Sequence, residues 1–105
     1  MVKRPAKYCP VARALEFVGD RWTLLILRDL HLDGPQKFHA LQNSVEGIGP
    51  STLSDRLKTM LENGLVERRF YSDHPPRAEY LLTKKGKDLM PVLKALKNWA
   101  EQHVL

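Results

Sequence analysis

The first half of the chain repeats apolar positions at the three- and four-residue spacing of amphipathic helices. One helix is predicted from Pro10, a residue favoured in a first helical turn, to a glycine stop at Gly19. Asp20 is a suitable N-cap for a second helix, whose apolar residues extend around more than one face. We therefore expect the second helix to be the most buried one.

Two further helices follow after a glycine-proline break. Gly34 and Pro35 end the second helix, and a short third helix is predicted from about His39 to Asn43. The fourth helix, Pro50 to Asn63, has the clearest pattern, and Gly64 follows it as a C-terminal glycine. Its apolar face carries Leu53, Leu57, Met60 and Leu61. Its opposite face is polar, as expected at a surface.

The remaining residues predict a β-ribbon and a final helix. The runs LVERRFY and AEYLLT, residues 65–71 and 78–83, alternate as two strands joined by a tip that contains two prolines. Thr83 is a suitable N-cap for a helix that continues to about residue 105, and Pro91 should kink this helix or mark a fresh start. The stiff and basic tip is typical of a loop that touches a partner.

The order of these elements predicts the fold class. Helix, helix, short helix, long helix, β-ribbon and helix give a mainly α fold with a small β-hairpin. This order is that of a winged helix-turn-helix, in which a β-hairpin wing follows the helix-turn-helix, with one additional helix at each end of the chain. A chain of 105 residues with 43% apolar residues suffices for one core. We expect a single domain over residues 1–105.

The charge balance favours an anionic partner. Seventeen Lys and Arg residues against twelve Asp and Glu give a net charge of +5 and a pI of about 9.6, which attracts polyanions. Many small proteins of other functions are also basic, so charge alone excludes little. The longest apolar run, Leu24–Leu27, is far too short to span a membrane, and no apolar signal segment follows the N-terminus. We expect a cytoplasmic protein.

The polar face of the fourth helix is the main candidate for reading DNA bases. Its short side chains suit base edges in the major groove, because Ser and Thr bond several bases and Asp accepts from cytosine. This face consists of Ser51, Thr52, Asp55, Lys58, Thr59 and Glu62, of which the first five are the candidates for base contact. Arg56 lies on its flank, within reach of a phosphate or a guanine. A merely solvated helix face is the alternative.

Basic residues outside this helix extend the candidate surface. The ribbon and its tip carry Arg68, Arg69, His74 and Arg77. Their positive charge favours contact with the DNA backbone or the minor groove. At the start of the third helix, Lys37 and His39 could contact phosphates, although a solvated loop histidine explains His39 equally well.

Cys9 is the only cysteine, so the chain can form no internal disulfide. It precedes Pro10 at a helix start, where the helix dipole and the nearby Lys7 and Arg4 would favour the reactive thiolate. Cysteines are also among the residues most often simply buried, and position alone favours that alternative.

Enzymatic and metal-binding functions find little support. The four histidines, His31, His39, His74 and His103, are scattered, and no HExxH, GxSxG or glycine-rich phosphate loop occurs. The stretch DLHLD, residues 29–33, straddles a predicted helix end, where alternate residues do not converge on one ion. We expect no catalytic site, no metal site and no cofactor.

Four stretches of the chain have a family-specific order and spacing. They are CPVARALEFVGDRWTLLIL, KFHALQ, GIGPSTLSDRLKTMLENGLVERR and YSDHPPRAEYLLTKKGKDLMPVLKALKNWA. Together they resemble the HxlR-type family of winged helix-turn-helix transcriptional regulators, and the block from Pro75 to Gly86 is the most specific part. One departure is that Pro50, Ser51 and Thr52 stand where members often carry a basic or amide residue. Arg56, Lys58 and the wing should then carry more of the affinity.

The resemblance implies a homodimer on double-stranded DNA, with its two recognition helices in successive major grooves. The N- and C-terminal helices would hold the dimer, and the final helix indeed has more apolar positions than a monomer of this size readily covers. The interface positions are Val11, Leu15, Leu89, Val92, Leu93, Leu96, Trp99 and Ala100. Cys9 occupies the position that some members use to sense oxidants or electrophiles.

The resulting interpretation is a dimeric, sequence-specific DNA-binding transcriptional regulator, expected to be a repressor that responds to redox signals or electrophiles through Cys9. One alternative is a winged-helix module that binds another protein. A second alternative is a regulator controlled by a small ligand or a metal at the dimer seam. The effector, the operator and the regulated genes are not encoded in any recognisable pattern.

Overall fold

The computed structural model describes residues 5–105, which form six α-helices and three β-strands. A 3₁₀ turn, Ala6–Tyr8, comes first. In chain order the elements are α1 (Pro10–Val18), α2 (Thr23–Asp33), β1 (Gln36–Lys37), α3 (Phe38–Ser44), α4 (Pro50–Glu62), β2 (Val66–Asp73), β3 (Pro76–Leu82), α5 (Lys84–Lys87) and α6 (Met90–His103).

The core forms where the apolar stripes of the helices meet the base of the sheet. Helix α2 contributes five buried residues, more than any other described helix, which confirms that the second helix is the most buried. The predicted stripe of α4 is buried at Leu53, Leu57 and Met60, while Leu61 is half-buried. The other buried apolar residues are Val18, Ile26, Leu27, Leu30, Leu41, Val45, Ile48, Leu65, Val66 and Leu82.

The ribbon belongs to a three-stranded antiparallel sheet in the order β1-β3-β2. The prediction of a two-stranded hairpin was therefore incomplete, because Gln36 and Lys37 form a third strand that pairs with Tyr80 and Glu79. Two residues are too few to show an alternating pattern. This strand places Lys37 at the edge of the sheet as well as at the start of α3.

The two long strands extend further toward the tip than the alternation predicted. Asp73 pairs with Pro76, so only His74 and Pro75 connect the strands, and Arg77 is a strand residue opposite Ser72. Pro76 is tolerated in the strand because it begins the strand, where a missing N–H costs little. The pairing shifts register between Phe70 and Ser72, which is a β-bulge.

Most helix boundaries agree with the sequence pattern. The predictions for α1, α3 and α4 are confirmed within one residue at each end. Gly64 has φ +71°, the left-handed conformation expected of a C-terminal glycine, whereas Gly19 ends α1 with φ −79°. Helix α2 begins at Thr23 rather than directly after Asp20.

The last predicted helix is two helices, α5 and α6, and Pro91 lies in the first turn of α6. Of the two outcomes predicted for Pro91, a kink or the start of a new helix, the structure confirms the second. The Thr83 hydroxyl caps α5 by accepting from the Gly86 amide at 3.0 Å, and it donates to the Gly64 carbonyl at 2.6 Å. Gly86 lies against the Leu65 carbonyl, where an added Cβ would be 2.2 Å from the oxygen. These contacts fix the position from which α6 departs.

Within residues 5–105, no helix is both long and apolar enough to cross a bilayer. The same residues contain no cluster of three or more His, Cys, Asp or Glu side chains able to hold a metal ion.

Candidate nucleic-acid interface

Helix α4 presents a polar face to solvent over its 13 residues. Ser51, Asp55 and Lys58 are exposed, whereas Thr52 and Thr59 are half-buried at the edge of the leucine stripe. Pro50 occupies the first turn, which suits a helix start because its missing N–H has no partner there in any case. The exposed N-terminal half of α4 therefore carries side chains of the size and chemistry that reach base edges.

Arg56 is held within the protein. Its Nη1 lies 3.7 Å from Oδ1 of Asp20, and its side chain is 30% exposed. The Asp20 carboxylate also accepts from the amides of Trp22 and Thr23, each at 2.9 Å, and from the Thr23 hydroxyl at 2.6 Å. The N-cap position of α2 is Trp22 rather than the predicted Asp20, but the Asp20 carboxylate still accepts from the amides at the start of that helix. Through Arg56 it also ties the corner between α1 and α2 to α4.

The pKa of Asp20 lies below its usual value of 3.8. Partial burial alone would raise the pKa, but the hydrogen bonds from the Thr23 hydroxyl and from the Thr23 and Trp22 amides outweigh that effect, and Arg56 adds to them. A lowered pKa means that the ionised carboxylate stabilises the fold, and that this contribution is lost as the pH falls through the folded-state value.

Replacing Asp20 with Ala should lower the free energy of unfolding by about 1–2 kcal/mol at neutral pH, because the cap of α2 is lost. The difference from wild type should begin to shrink near pH 4, where Asp20 of the unfolded chain takes up a proton, and it should be lost as the pH falls through the lower folded-state pKa. Urea denaturation at pH 7 and near pH 3 measures this. Asp33→Ala, an exposed position at the other end of α2, is the control. An equal Asp20→Ala effect at both pH values would exclude the charge as the cause.

The sheet holds its basic residues in different ways. Arg69 donates to Oε1 of Glu79 across the strands, with its Nη2 at 2.6 Å, and the Arg68 guanidinium lies 5.1 Å from the centre of the Phe70 ring. The Arg77 side chain is exposed, and among residues 5–105 it has no hydrogen-bond or ion-pair partner. The most available cation of the wing is therefore Arg77. His74 is exposed at the tip.

Lys37 and an aromatic residue of β2 come together on the sheet. The Lys37 ammonium lies 5.1 Å from the centre of the Tyr71 ring, a cation-π distance, and Tyr71 is the residue that the β-bulge takes out of register. His39 is exposed on the first turn of α3. The sequence did not single out Tyr71, because the position of a bulge depends on how two strands pair. From the sequence alone, Phe70 was an equally good candidate for the aromatic partner of Lys37.

A groove of about 330 Å³ separates α4 from the sheet. Ser54, Lys58 and Glu62 line it from the helix, and Arg68 and Tyr80 line it from the strands. Lys58 and Glu62, at one edge of the polar face of α4, thus lie across this groove from the basic strand residue Arg68. Tyr80 also packs against the core, whereas Glu79 pairs with Arg69 across the strands.

Cys9 is the N-cap of α1. Its Sγ accepts from the Ala12 amide at 3.5 Å, and the residue is half-buried. The Lys7 ammonium lies over the ring of its neighbour Tyr8, 4.9 Å from the ring centre. Arg4, the second cation expected near Cys9, lies outside the described residues.

The terminal helices expose the apolar residues predicted for a dimer interface. Helix α6 has no buried residue, and on α1 only Val18 is buried. The exposed positions of the predicted set are Val11, Leu15, Val92, Leu96 and Trp99, whereas Leu89, Leu93 and Ala100 are half-buried. Such a stripe on a small domain calls for a covering surface.

The sequence profile of the HxlR-like helix-turn-helix family matches residues 17–105. The chain belongs to the HxlR-like family. An HTH-type transcriptional regulator of Mycobacterium tuberculosis is 45% identical over 94 residues, which are 90% of this chain and 58% of that protein. An HTH-type transcriptional regulator of Synechocystis is 33% identical over 98 residues, which are 90% of this chain and 72% of that relative. The chain therefore spans less than two thirds of the length of the mycobacterial protein.

One similar solved structure is the reduced form of the transcriptional regulator YodB from Bacillus subtilis. It superimposes with a TM-score of 0.77 and 34% identity, covering 91% of this chain and 94% of YodB. Diamide-treated and quinone-bound structures of YodB also match. The predicted family and winged-helix fold class are confirmed. The family match begins at Phe17, so Cys9 lies outside it.

Proposed function

We propose that this HxlR-like protein is a dimeric, sequence-specific DNA-binding transcriptional regulator that acts as a repressor. One observation carries the proposal: the polar face of α4 is exposed beside a sheet with basic side chains, in a chain whose relatives are named HTH-type transcriptional regulators. The 105-residue chain would act as one DNA-binding domain.

In this proposal α4 enters the major groove through its N-terminal half. Ser51, Thr52, Asp55, Lys58 and Thr59 face the base edges, while the wing follows the DNA backbone. Arg56 would act mainly by holding α4 against Asp20, because its guanidinium already lies beside a carboxylate. Lys37, held over Tyr71, and His39 would face phosphates near the start of α3.

Two-fold symmetry would place the two α4 helices about 34–36 Å apart or a multiple of that distance, on a pseudo-palindromic operator. The exposed stripes of α1 and α6 are the surfaces proposed to form the dimer. Occupancy of a promoter by such a dimer would block transcription, which is the basis for proposing a repressor.

Replacing Arg77 with Ala should weaken binding to all DNA sequences and lower the slope of log K against log salt by about one unit, because one phosphate contact is lost. Arg69→Ala is the matched control on the same sheet. Its effect should be smaller, since the Arg69 guanidinium is already bonded to Glu79. Gel-shift titrations at several salt concentrations measure both.

An unchanged salt slope in Arg77→Ala would remove the wing tip from the binding mechanism. If wild-type protein showed no salt-sensitive binding to promoter DNA, the rival function, a winged-helix module for another protein, would be favoured.

Cys9 is proposed to make DNA binding responsive to oxidants or electrophiles. Its place as N-cap of the exposed helix α1 supports this, since a modified sulfur could no longer accept from the Ala12 amide in the same way. YodB, a structural neighbour, has diamide-treated and quinone-bound forms. With one cysteine in the chain, a disulfide would join two chains or one chain and a small thiol.

Cys9→Ser should bind DNA with wild-type affinity and stay bound after treatment with diamide or a quinone, whereas wild-type protein should dissociate. Serine is a good N-cap, so α1 should be preserved. Fluorescence anisotropy of labelled operator DNA, with and without the reagent, measures both states. Release of the Cys9→Ser protein by the same reagents would exclude this cysteine as the sensor.

A further inference from the structure

We propose that the groove between α2 and α6 binds a small organic acid with an apolar body, such as a phenylalkyl or medium-chain carboxylate. The groove has a volume of about 900 Å³, within the range of pockets that hold small molecules. Leu32 of α2 and Met90 and Leu93 of α6 contribute apolar surface to it. This surface would contact the hydrocarbon part of the ligand.

The charge of the groove selects an anion. Arg28 and His31 on α2 and Lys94 and Lys97 on α6 line it, and no acidic residue does so within the described chain. Three permanent cations around an apolar floor would attract a carboxylate, whose apolar body would gain from leaving water. A neutral molecule of the same shape would gain only from burying its apolar body, without the attraction to the three cations.

Arg28 is fixed in advance for this role. Its Nε donates to Oδ1 of Asp29 at 2.9 Å, and Asp29 is buried, with its other oxygen accepting from the Ser44 hydroxyl at 2.6 Å. A buried carboxylate is stable only when it is paired, so Asp29 keeps the guanidinium in place. The four N–H groups on the two Nη atoms remain for a ligand. A pre-oriented guanidinium suits two-point recognition of a carboxylate.

The groove lies on a different face of α6 from the exposed apolar stripe. Because each residue turns an α-helix by 100°, Leu93, Lys94 and Lys97 are centred roughly 130° away from the stripe of Val92, Leu96 and Trp99. Pairing of two chains through the stripe would therefore leave the groove accessible. The groove is therefore distinct from the exposed stripe, although Leu93, one of the positions predicted for the dimer interface, lies at its edge.

A ligand in this groove would touch both the winged helix-turn-helix body and the helix proposed to join the two subunits. It would change the angle between them, and hence the spacing of the two α4 helices. The regulatory step rests on the proposed DNA-binding function, whereas binding of the acid does not. By linkage, an acid that weakens DNA binding must itself bind less tightly to the DNA complex.

Isothermal titration calorimetry with 4-phenylbutyrate and with the neutral 4-phenylbutyramide tests the proposal on the full chain without DNA. The acid should bind one site per chain, and the amide at least about 10-fold more weakly. The double variant Lys94→Ala/Lys97→Ala should bind the acid at least about 10-fold more weakly than wild type does. The matched double variant Lys84→Ala/Lys87→Ala, on exposed α5, should bind as wild type does. Both double variants alter exposed lysines, so folding should be preserved.

Equal binding of acid and amide, unchanged binding in Lys94→Ala/Lys97→Ala, or no saturable heat up to about 10 mM acid would each overturn the proposal. Leu32→Lys, at a 70% exposed position, tests the competing occupant. If this variant were monomeric in sedimentation analysis, the groove of the wild-type protein would be covered by a second copy of the chain. That result would also overturn the proposal.

Discussion

Replacing Leu96 with Glu is expected to make the protein monomeric and to lower its affinity for a two-half-site operator at least about 100-fold. Leu96 is 50% exposed in the middle of the α6 stripe, between Val92 and Trp99. If this stripe is buried between two chains, a glutamate would place an unpaired charge in an apolar interface, which costs several kcal/mol. A monomer would then reach only one half-site.

Sedimentation equilibrium measures the mass of the variant, and gel shifts with one or two half-sites measure the affinity. Asn98→Glu is the matched control, because it introduces the same charge on the same helix, at an exposed position outside the stripe. The control should remain dimeric. A Leu96→Glu protein that stayed dimeric and bound DNA as wild type does would show that α6 does not join the subunits.

Local patterns predicted most of the helices because the signals lie within each helix. Pro10 and Pro50 mark helix starts, Gly64 takes the left-handed conformation, and Pro91 separates α5 from α6. Strand β1 could not be predicted in this way. It is two residues long and exists only because Gln36 and Lys37 pair with β3, far away in the chain.

The chemical types of the candidate residues could be predicted, but their partners could not. The sequence gives no reason to distinguish Arg56, Arg69 and Arg77, since each is a basic residue near a polar surface. The fold separates them by long-range contacts: Arg56 meets Asp20, Arg69 meets Glu79, and Arg77 meets solvent. The role of Asp20 at the start of α2 was predictable because its hydrogen bonds stay within three residues, although the helix itself begins two residues later than predicted.

Gly86→Ala is expected to lower the free energy of unfolding by about 2–3 kcal/mol. Alanine normally stabilises a helix by about 1 kcal/mol relative to glycine, but here the new methyl group would meet the backbone. The added Cβ would lie 2.2 Å from the Leu65 carbonyl oxygen and 3.3 Å from a methyl group of Leu82. A rotamer change cannot relieve a contact with backbone, so α5 would have to move away from the sheet.

Chemical denaturation measures the loss, with Gly49→Ala as the matched control, since a Cβ at Gly49 would meet no atom within 4 Å and its φ is −81°. The control should lower stability by no more than about 1 kcal/mol, the size expected when alanine replaces glycine at the N-cap of α4. Because α5 leads directly into α6, a displaced α5 should also redirect the proposed dimer helix and weaken DNA binding beyond the loss of folded protein. Wild-type stability in Gly86→Ala would mean that α5 does not pack against Leu65 in solution. The position of α6 would then have to be set by other contacts, such as those with α2.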